Sequence, residues 1–163
     1  MDFIFIGKTN MDSLILNTHL GIGVVIGHEI THGFDDTGRQ FDKNGNRIPW
    51  WTDETIKKFN DRKTCIINQY SDYTVTQINM KADGNLTQGE DIADNGGLRE
   101  AFFAYRKWTA NNKNVDKILP GLQKYTPEQL FFINFANSWC SKMTNAYALN
   151  QVRTDVHSLG HLR

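Results

Sequence analysis

The sequence carries the pattern H-E-x-x-H at residues 28–32, directly after the apolar run 22–26. Residues four apart on a helix project from one face about one turn apart, so the imidazoles of His28 and His32 can reach a single metal ion. Glu29 is rotated by about 100° around the helix axis, too far round to be a third ligand but able to lean over the metal's open side. The pattern therefore predicts a helix with two zinc ligands and a general base.

Composition and charge limit the classes of protein that this chain can belong to. Its 163 residues are 39% hydrophobic and 22% charged, which suits one globular domain with a substantial core. Eighteen basic residues balance eighteen acidic ones, so nucleic acid and anionic membranes are not expected as partners. No apolar run approaches the roughly 20 residues of a membrane span, and we expect neither an anchor nor a signal peptide nor direct membrane contact by this segment.

Hydrophobic periodicity predicts a mainly helical chain with few short strands. Residues 1–20 show no clear period and are predicted to form an irregular N-terminal segment, followed by a single domain over 21–163. Helices are predicted at about residues 21–33, 53–70, 87–110, 126–140 and 146–152. Residues 71–85 are predicted to be a loop, with or without one strand, and residues 111–125 a linker. Gly96 and Gly97, inside the third helix, each cost about 1 kcal/mol relative to Ala, so we expect another helix or backbone to approach closely there.

Two histidines do not complete a zinc site, so a further ligand must come from elsewhere in the chain. A third histidine at position 38 is excluded because that residue is glycine. Glu90 and Asp94 lie four apart on one predicted helical face, where Glu90 can bind zinc and Asp94 can accept the free N–H of a ligating imidazole. The pattern alone leaves other roles open, because Glu90 also completes a capping box with Thr87 and Asp94 could simply be solvated.

Asp35, three residues past His32, could orient that histidine in the same manner as Asp94. The alternative is an aspartate in the turn that ends the helix, and the pattern does not separate the two.

Three segments together resemble the neprilysin family of zinc endopeptidases, which includes the endothelin-converting enzymes. They are V-I-G-H-E-I-T-H-G-F-D-D at 25–36, G-E-D-I-A-D-N-G-G-L at 89–98 and T-D-V-H-S at 154–158. The resemblance also takes in shorter stretches at 49–51, 119–122 and 129–132, so it covers nearly everything from residue 21 to residue 163. It implies a thermolysin-like, or gluzincin, catalytic domain that holds one Zn²⁺ and cleaves short peptides, with a preference for hydrophobic residues after the scissile bond.

The resemblance also implies individual roles for site residues. His28, His32 and Glu90 would bind zinc, and Glu29 would be the catalytic base. Asp35 and Asp94 would support the histidines, and the residue matching Asp94 is also described as a proton donor in that family. His157, beside Asp155, would stabilise the oxyanion, and Arg163 would contact substrate. A pocket for the residue after the scissile bond would be formed by Val24, Val25 and Trp139. Without the resemblance, His157 would be interpreted as a surface histidine and Arg163 as a solvated terminus.

The chain departs from the family pattern in several places. It lacks the upstream segment that pairs with the substrate backbone and the large N-terminal part that encloses the site, and position 159 is leucine where the family has proline. Cys65 and Cys140 would pair outside this span in the family. We therefore expect a fragment of a larger protein on the extracellular side of the plasma membrane or secreted. The alternative to a peptidase is a chain that binds zinc or peptide without efficient hydrolysis.

Overall fold

The computed structural model describes residues 11–112 and 120–163, with side chains from residue 21 onward. Five α-helices and one β-hairpin follow in chain order: α1 Met11–His32, α2 Asp53–Asp72, β1 Thr74–Val75, β2 Met80–Lys81, α3 Gly84–Asn111, α4 Pro127–Ser138 and α5 Asn145–Thr154. Short 3₁₀ turns lie at Gly38–Gln40 and Gly160–Leu162. The mainly helical class predicted from the periodicity is confirmed, and none of the described helices has the combined length and apolar character that a bilayer crossing requires.

The N-terminal boundary of the first helix differs from the prediction. α1 begins at Met11, so the irregular structure predicted for residues 11–20 is wrong, while residues 1–10 lie outside the described part of the chain. Periodicity missed this portion because its apolar residues do not recur with a helical period. Residues 11–20 contain no glycine or proline that would end a helix, so α1 can extend from the motif toward the N-terminus.

The start of α3 is also corrected. Asp83 caps this helix by accepting hydrogen bonds from the backbone N–H groups of Asn85 and Leu86, so α3 begins at Gly84. Thr87 lies inside the helix and is buried, and the capping box predicted for Thr87 and Glu90 does not form. Aspartate is among the strongest N-cap residues, and here it precedes the weaker threonine signal. Glu90 is consequently free of any capping role.

The other predicted elements agree with the structure within a few residues. The capping box at the start of α4 is confirmed, with Thr126 and Gln129 bonded reciprocally and Pro127 in the first turn. The predicted strand at 71–85 is one half of a hairpin, in which Thr74 pairs with Lys81 and Val75 with Met80. The predicted linker falls partly on residues 113–119, which lie outside the described residues.

Two apolar clusters hold these elements together. The first joins α1, α3 and α4 through Val24, Ala101, Tyr105 and Phe131. The second joins the hairpin, α5 and the C-terminal segment through Val75, Val152 and Leu159. Because Val152 precedes and Leu159 follows residue 157, the second cluster anchors both ends of the irregular segment that carries His157.

The crossing of α1 over α3 depends on residues without a side chain. A Cβ atom on Gly27 would lie 2.8 Å from the Cα of Gly97, and one on Gly97 would collide with the backbone N of His28 and lie 2.6 Å from the carbonyl oxygen of Val24. At Gly96 the added Cβ would meet the Thr31 hydroxyl at 2.5 Å. The close approach expected from the two adjacent glycines is therefore confirmed, and the approaching element is the motif helix.

This crossing generates a stability prediction with a matched control in α1. Gly97→Ala should lower the free energy of unfolding by about 2–3 kcal/mol or more, because rigid backbone atoms stand where the methyl group would go. Gly21→Ala should raise it by roughly 0.5–1 kcal/mol, because nothing lies within 4 Å of that Cβ and Ala favours helix over Gly. Urea unfolding followed by circular dichroism measures both. Equal effects of the two substitutions would contradict a crossing set by Gly97.

Candidate metal centre

Three ligand atoms from α1 and α3 converge at the crossing. The Nε2 atoms of His28 and His32 lie 3.0 Å apart, and the Oε2 atom of Glu90 lies 3.2 Å and 3.4 Å from them. A tetrahedral ion bound at about 2.0–2.1 Å separates its ligands by about 3.3–3.4 Å, which is close to these spacings. In the described part of the chain these residues form the group that could hold a metal ion. The predicted trio is thus brought together, and its dimensions fit zinc.

Carboxylates behind the two histidines fix their tautomers. His28 Nδ1 lies 2.9 Å from Asp94 Oδ1, and His32 Nδ1 lies 2.6 Å from Asp35 Oδ2. A carboxylate can only accept, so each Nδ1 carries the proton and each Nε2 presents its lone pair to the space that they share. Glu90 Oε2 is buried and has no hydrogen-bond partner among the described residues. Three convergent acceptors without a donor fit a cation.

The electrostatics of the site favour positive charge. Burial acts to lower the pKa of His32, but the hydrogen bond to Asp35 and the negative charges of Glu90 and Asp35 outweigh burial and raise that pKa above its ordinary value. The same carboxylates would stabilise a divalent cation held by the two imidazoles.

Asp35 is itself held rigidly by the turn that follows α1. Its Oδ1 accepts hydrogen bonds from the backbone N–H groups of Thr37 at 2.8 Å and Gly38 at 2.7 Å, while Oδ2 faces His32. The two interpretations that the sequence left open are therefore both realised: Asp35 stabilises the turn with one oxygen and orients the histidine with the other. Asp35 is 5% exposed, so little water competes for either contact.

Asp94 contacts both the metal-binding helix and the end of the chain. Besides the contact with His28, its carboxylate receives hydrogen bonds from Arg163 Nε at 2.5 Å and from Arg163 Nη2 at 2.7 Å. The Arg163 side chain is only 8% exposed, and its guanidinium carbon lies 3.9 Å from the centre of the Trp139 ring. The structure thus places Arg163 against Asp94 and Trp139. Asp94 accepts hydrogen bonds from the His28 imidazole and from the Arg163 guanidinium.

His157 also reaches the cluster, from the irregular segment after α5. Its Nε2 lies 3.2 Å from Glu90 Oε2, and its Nδ1 lies 3.0 Å from Asp155 Oδ1. Asp155 further accepts the backbone N–H of His157 at 2.9 Å, and this bond is the main reason that the pKa of Asp155 lies below its ordinary value. Asp155 therefore remains ionised and directs the Nε2 of His157 toward the cluster.

The remaining predicted residues lie at different depths. Glu29 is exposed on α1 beside His28. Val25 is 56% exposed on the surface of the same helix, whereas Val24 is only 6% exposed and packs in the first apolar cluster. Trp139 is partly buried against Phe135 and Arg163. Of the predicted pocket residues, Val25 and Trp139 therefore keep accessible surface, and Val24 belongs to the core.

Sequence reasoning missed one buried group next to the centre. Asp91 is fully buried and accepts hydrogen bonds from the hydroxyls of Thr87 and Ser158, each at 2.7 Å. Burial raises its pKa to about 6, against the opposing effect of these two bonds. The four-residue spacing of Thr87 and Asp91 on α3 was the available signal, but Ser158 lies 67 residues further on and could not be paired with Asp91 by spacing.

Comparison with known proteins identifies the family to which these site residues belong. A sequence model of peptidase family M13 matches residues 14–163. The chain belongs to peptidase family M13. The match begins at residue 14, inside the segment 1–20 predicted to be irregular, which agrees with the extension of α1 toward the N-terminus.

Individual relatives support the same assignment. The chain is 54% identical over 137 residues to Neprilysin-11 of Caenorhabditis elegans, which covers 84% of this chain and 16% of that protein. It is 50% identical over 139 residues to human membrane metallo-endopeptidase-like 1, covering 85% of this chain and 18% of the relative. The chain thus spans less than a fifth of the length of these relatives, and the resemblance to neprilysins is confirmed.

A solved structure supports the fold assignment. The zinc metalloprotease Zmp1 of Mycobacterium tuberculosis, in complex with an inhibitor, superimposes with a TM-score of 0.81 at 36% identity, covering 90% of this chain and 22% of that one. The helices that hold His28, His32 and Glu90 therefore belong to a fold seen in a zinc protease of this family.

The support of His32 by Asp35 generates a prediction about metal affinity. Asp35→Asn should weaken zinc binding by about 10–100-fold, because an amide N–H cannot accept the Nδ1 proton and the imidazole loses its orientation. Asp36→Asn is the matched control, since the neighbouring aspartate has no contact with either histidine ring among the described residues, and it should change the affinity less than about 3-fold. Competition with a chromogenic zinc chelator measures both. Equal affinities of the two variants would contradict the role of Asp35.

Proposed function

We propose that this chain supplies the zinc-binding part of a metalloendopeptidase that hydrolyses short peptides, with a preference for a hydrophobic residue after the scissile bond. The observation that carries the proposal is the convergence of His28 Nε2, His32 Nε2 and Glu90 Oε2 within 3.0–3.4 Å of one another, beside an exposed Glu29. Membership of peptidase family M13 supports the same reaction class.

His28, His32 and Glu90 would hold one Zn²⁺. When bound, the ion would lower the pKa of a water molecule to about 7 and polarise the carbonyl of the scissile peptide bond. Asp94 and Asp35 keep the two imidazoles in the tautomer that such binding needs. Because Asp94 accepts hydrogen bonds from both His28 and Arg163, we assign it the orientation of a ligand rather than the donation of a proton.

Glu29 would act as the general base and then as the general acid. Its exposed position one residue after His28 lets its carboxylate accept a proton from the attacking water and deliver that proton to the leaving amine. With both ring nitrogens protonated, His157 would donate a hydrogen bond from Nε2 to the carbonyl oxygen as negative charge develops there, while its Nδ1–H donates to Asp155. Both steps use side chains that border the same cluster.

Substrate contacts would come from Val25, Trp139 and Arg163. The exposed Val25 and the partly buried Trp139 offer apolar surface for the side chain that follows the scissile bond, with Val24 behind them. Asp94 accepts from Nε and from one N–H of Nη2, so a contact with a substrate carbonyl would use the remaining N–H groups of Nη1 and Nη2. The pairing with Asp94 would also hold the guanidinium in place before substrate arrives.

The whole enzyme would include parts beyond this span. By resemblance to neprilysins, a large N-terminal part would enclose the site and restrict substrates to short peptides, and the protein would act outside the cell, at the plasma membrane or secreted. The chain's coverage of less than a fifth of its relatives supports a division in which these residues supply the metal centre and other segments supply the walls of the cavity.

The assignment of Glu29 generates a test on activity. Glu29→Gln should retain one equivalent of zinc, since Glu29 is not a ligand, yet lower kcat by at least about 100-fold because the proton acceptor is lost. Glu128→Gln, an exposed glutamate of α4, is the control and should leave kcat unchanged. Hydrolysis of a short internally quenched peptide, with zinc content measured in parallel, separates the outcomes. Full activity of Glu29→Gln would exclude the assignment, and zinc binding without turnover in the unaltered chain would favour the zinc- or peptide-binding alternative.

A further inference from the structure

We propose that Asp91 is a positioning residue that fixes His157 over the metal-ligand cluster through a hydrogen bond from Ser158. The inference rests on the proposed function, because it concerns the placement of the histidine assigned to the oxyanion. It adds a buried carboxylate that neither binds the metal nor contacts substrate.

The two segments involved meet through consecutive residues. On α3, Glu90 is followed by Asp91, and in the C-terminal segment His157 is followed by Ser158. Glu90 Oε2 lies 3.2 Å from His157 Nε2, and Asp91 Oδ1 accepts the Ser158 hydroxyl at 2.7 Å. These two contacts lie side by side, so the second constrains the first. Moving the segment along α3 would lengthen both distances together.

The apolar cluster anchors this segment at its two ends, through Val152 and Leu159, and the Ser158 hydrogen bond holds it next to His157. Between the end of α5 at Thr154 and the turn that begins at Gly160, residues 155–159 form neither helix nor strand. Asp155 belongs to the same segment, so its contact with His157 sets the angle of the imidazole ring but cannot set the distance of the segment from α3. Ser158 is 4% exposed and Asp91 fully buried, so their hydrogen bond is protected from water. This hydrogen bond joins the segment to Asp91, the residue that follows Glu90.

The two oxygens of Asp91 accept from different parts of the chain. Thr87, one turn earlier on α3, donates its hydroxyl to Oδ2 at 2.7 Å, while Ser158 donates to Oδ1. The backbone of α3 already fixes Asp91, and the bond from Ser158 alone of these two locks the C-terminal segment to that helix. A displacement of about 1 Å in a catalytic group can cost about 100-fold in rate, so a lock of this kind has a measurable consequence for His157.

The two bonds to Asp91 supply a matched pair of variants. Ser158→Ala removes the link to the segment of His157, and Thr87→Val removes the other hydroxyl from the same carboxylate without touching that segment. Asp91→Asn is the conservative variant: its Oδ1 can still accept from Ser158, and its Nδ2 can donate to the Thr87 hydroxyl, which then donates to the Asp83 carbonyl oxygen.

For the zinc-loaded chain, Ser158→Ala should lower kcat on the quenched peptide by about 10–100-fold with KM changed less than about 3-fold. Thr87→Val and Asp91→Asn should keep kcat within about 3-fold of the unaltered chain. Zinc affinity should be the same in all four proteins, because none of the changes touches a metal ligand. Equal losses of kcat in Ser158→Ala and Thr87→Val would overturn the proposal, since both remove one hydrogen bond from Asp91.

A readout independent of turnover separates this proposal from the proposed function. In a chain with ¹³C-labelled histidine rings, the His157 signal, identified by its loss in His157→Gln, should shift or broaden in Ser158→Ala and remain unchanged in Thr87→Val. This result would support the positioning role even if the unaltered chain hydrolysed nothing. An unchanged His157 signal in Ser158→Ala would refute it. If Ser158→Ala fails to fold, Ser158→Cys, which retains the volume and a weaker donor, should give the same effects at smaller size.

Discussion

The metal centre depends on one close contact, the crossing of α1 over α3 at Gly27 and Gly97. A Cβ on either residue would meet backbone atoms of the other helix, so the helices can approach this closely only without side chains at that point. The residue after Gly27 is His28, which faces Glu90 and Asp94 across the crossing. The distances of 3.2 Å and 3.4 Å from Glu90 to the two imidazoles are a consequence of this approach. Helices kept apart by ordinary side chains would hold the same residues too far apart to share an ion.

The crossing brings several carboxylates into a poorly hydrated space. Each buried negative charge there needs hydrogen-bond donors or a cation to replace the lost water. Glu90, Asp91 and Asp94 of α3 lie within five residues, and Asp35 approaches from the turn after α1. Each of the three aspartates has donors: two backbone N–H groups and His32 for Asp35, two hydroxyls for Asp91, and His28 with Arg163 for Asp94. Among these four carboxylates Glu90 is the exception, because its buried Oε2 has no hydrogen-bond partner, and this oxygen faces both Nε2 atoms. An unpaired carboxylate oxygen beside two imidazoles suits a bound cation.

The sequence could predict those parts of the site whose residues lie three or four positions apart on one helix or turn. The four-residue separation of His28 and His32 places both rings on one helical face, and the same separation of Glu90 and Asp94 suggested a ligand with a supporting carboxylate. Spacing could not decide between a cap and a ligand for Glu90, because that choice depended on whether Asp83 or Thr87 began the helix. The helical N-terminal extension to Met11 was missed for a related reason: periodicity detects a helix by its buried face, and residues 11–20 show no such period.

Contacts between segments that are distant in the sequence could not be predicted from residue spacing. The C-terminal segment meets the acidic face of α3 at three successive points: His157 with Glu90, Ser158 with Asp91, and Arg163 with Asp94. Each acidic residue therefore has a partner that lies 67 or 69 residues away in the chain. The resemblance to a family assigned His157 and Arg163 to the site but did not predict these pairings.

This arrangement divides the site into two parts of different rigidity. The helical crossing is fixed by backbone contact, whereas the segment with His157 and Arg163 is fixed by hydrogen bonds and by the apolar cluster around Leu159. Substitutions that loosen the second part should leave the metal ligands in register, because none of those ligands lies on the C-terminal segment. The candidate metal ligands and the residues proposed to stabilise the transition state therefore depend on separable sets of contacts, and α3 is the element common to both.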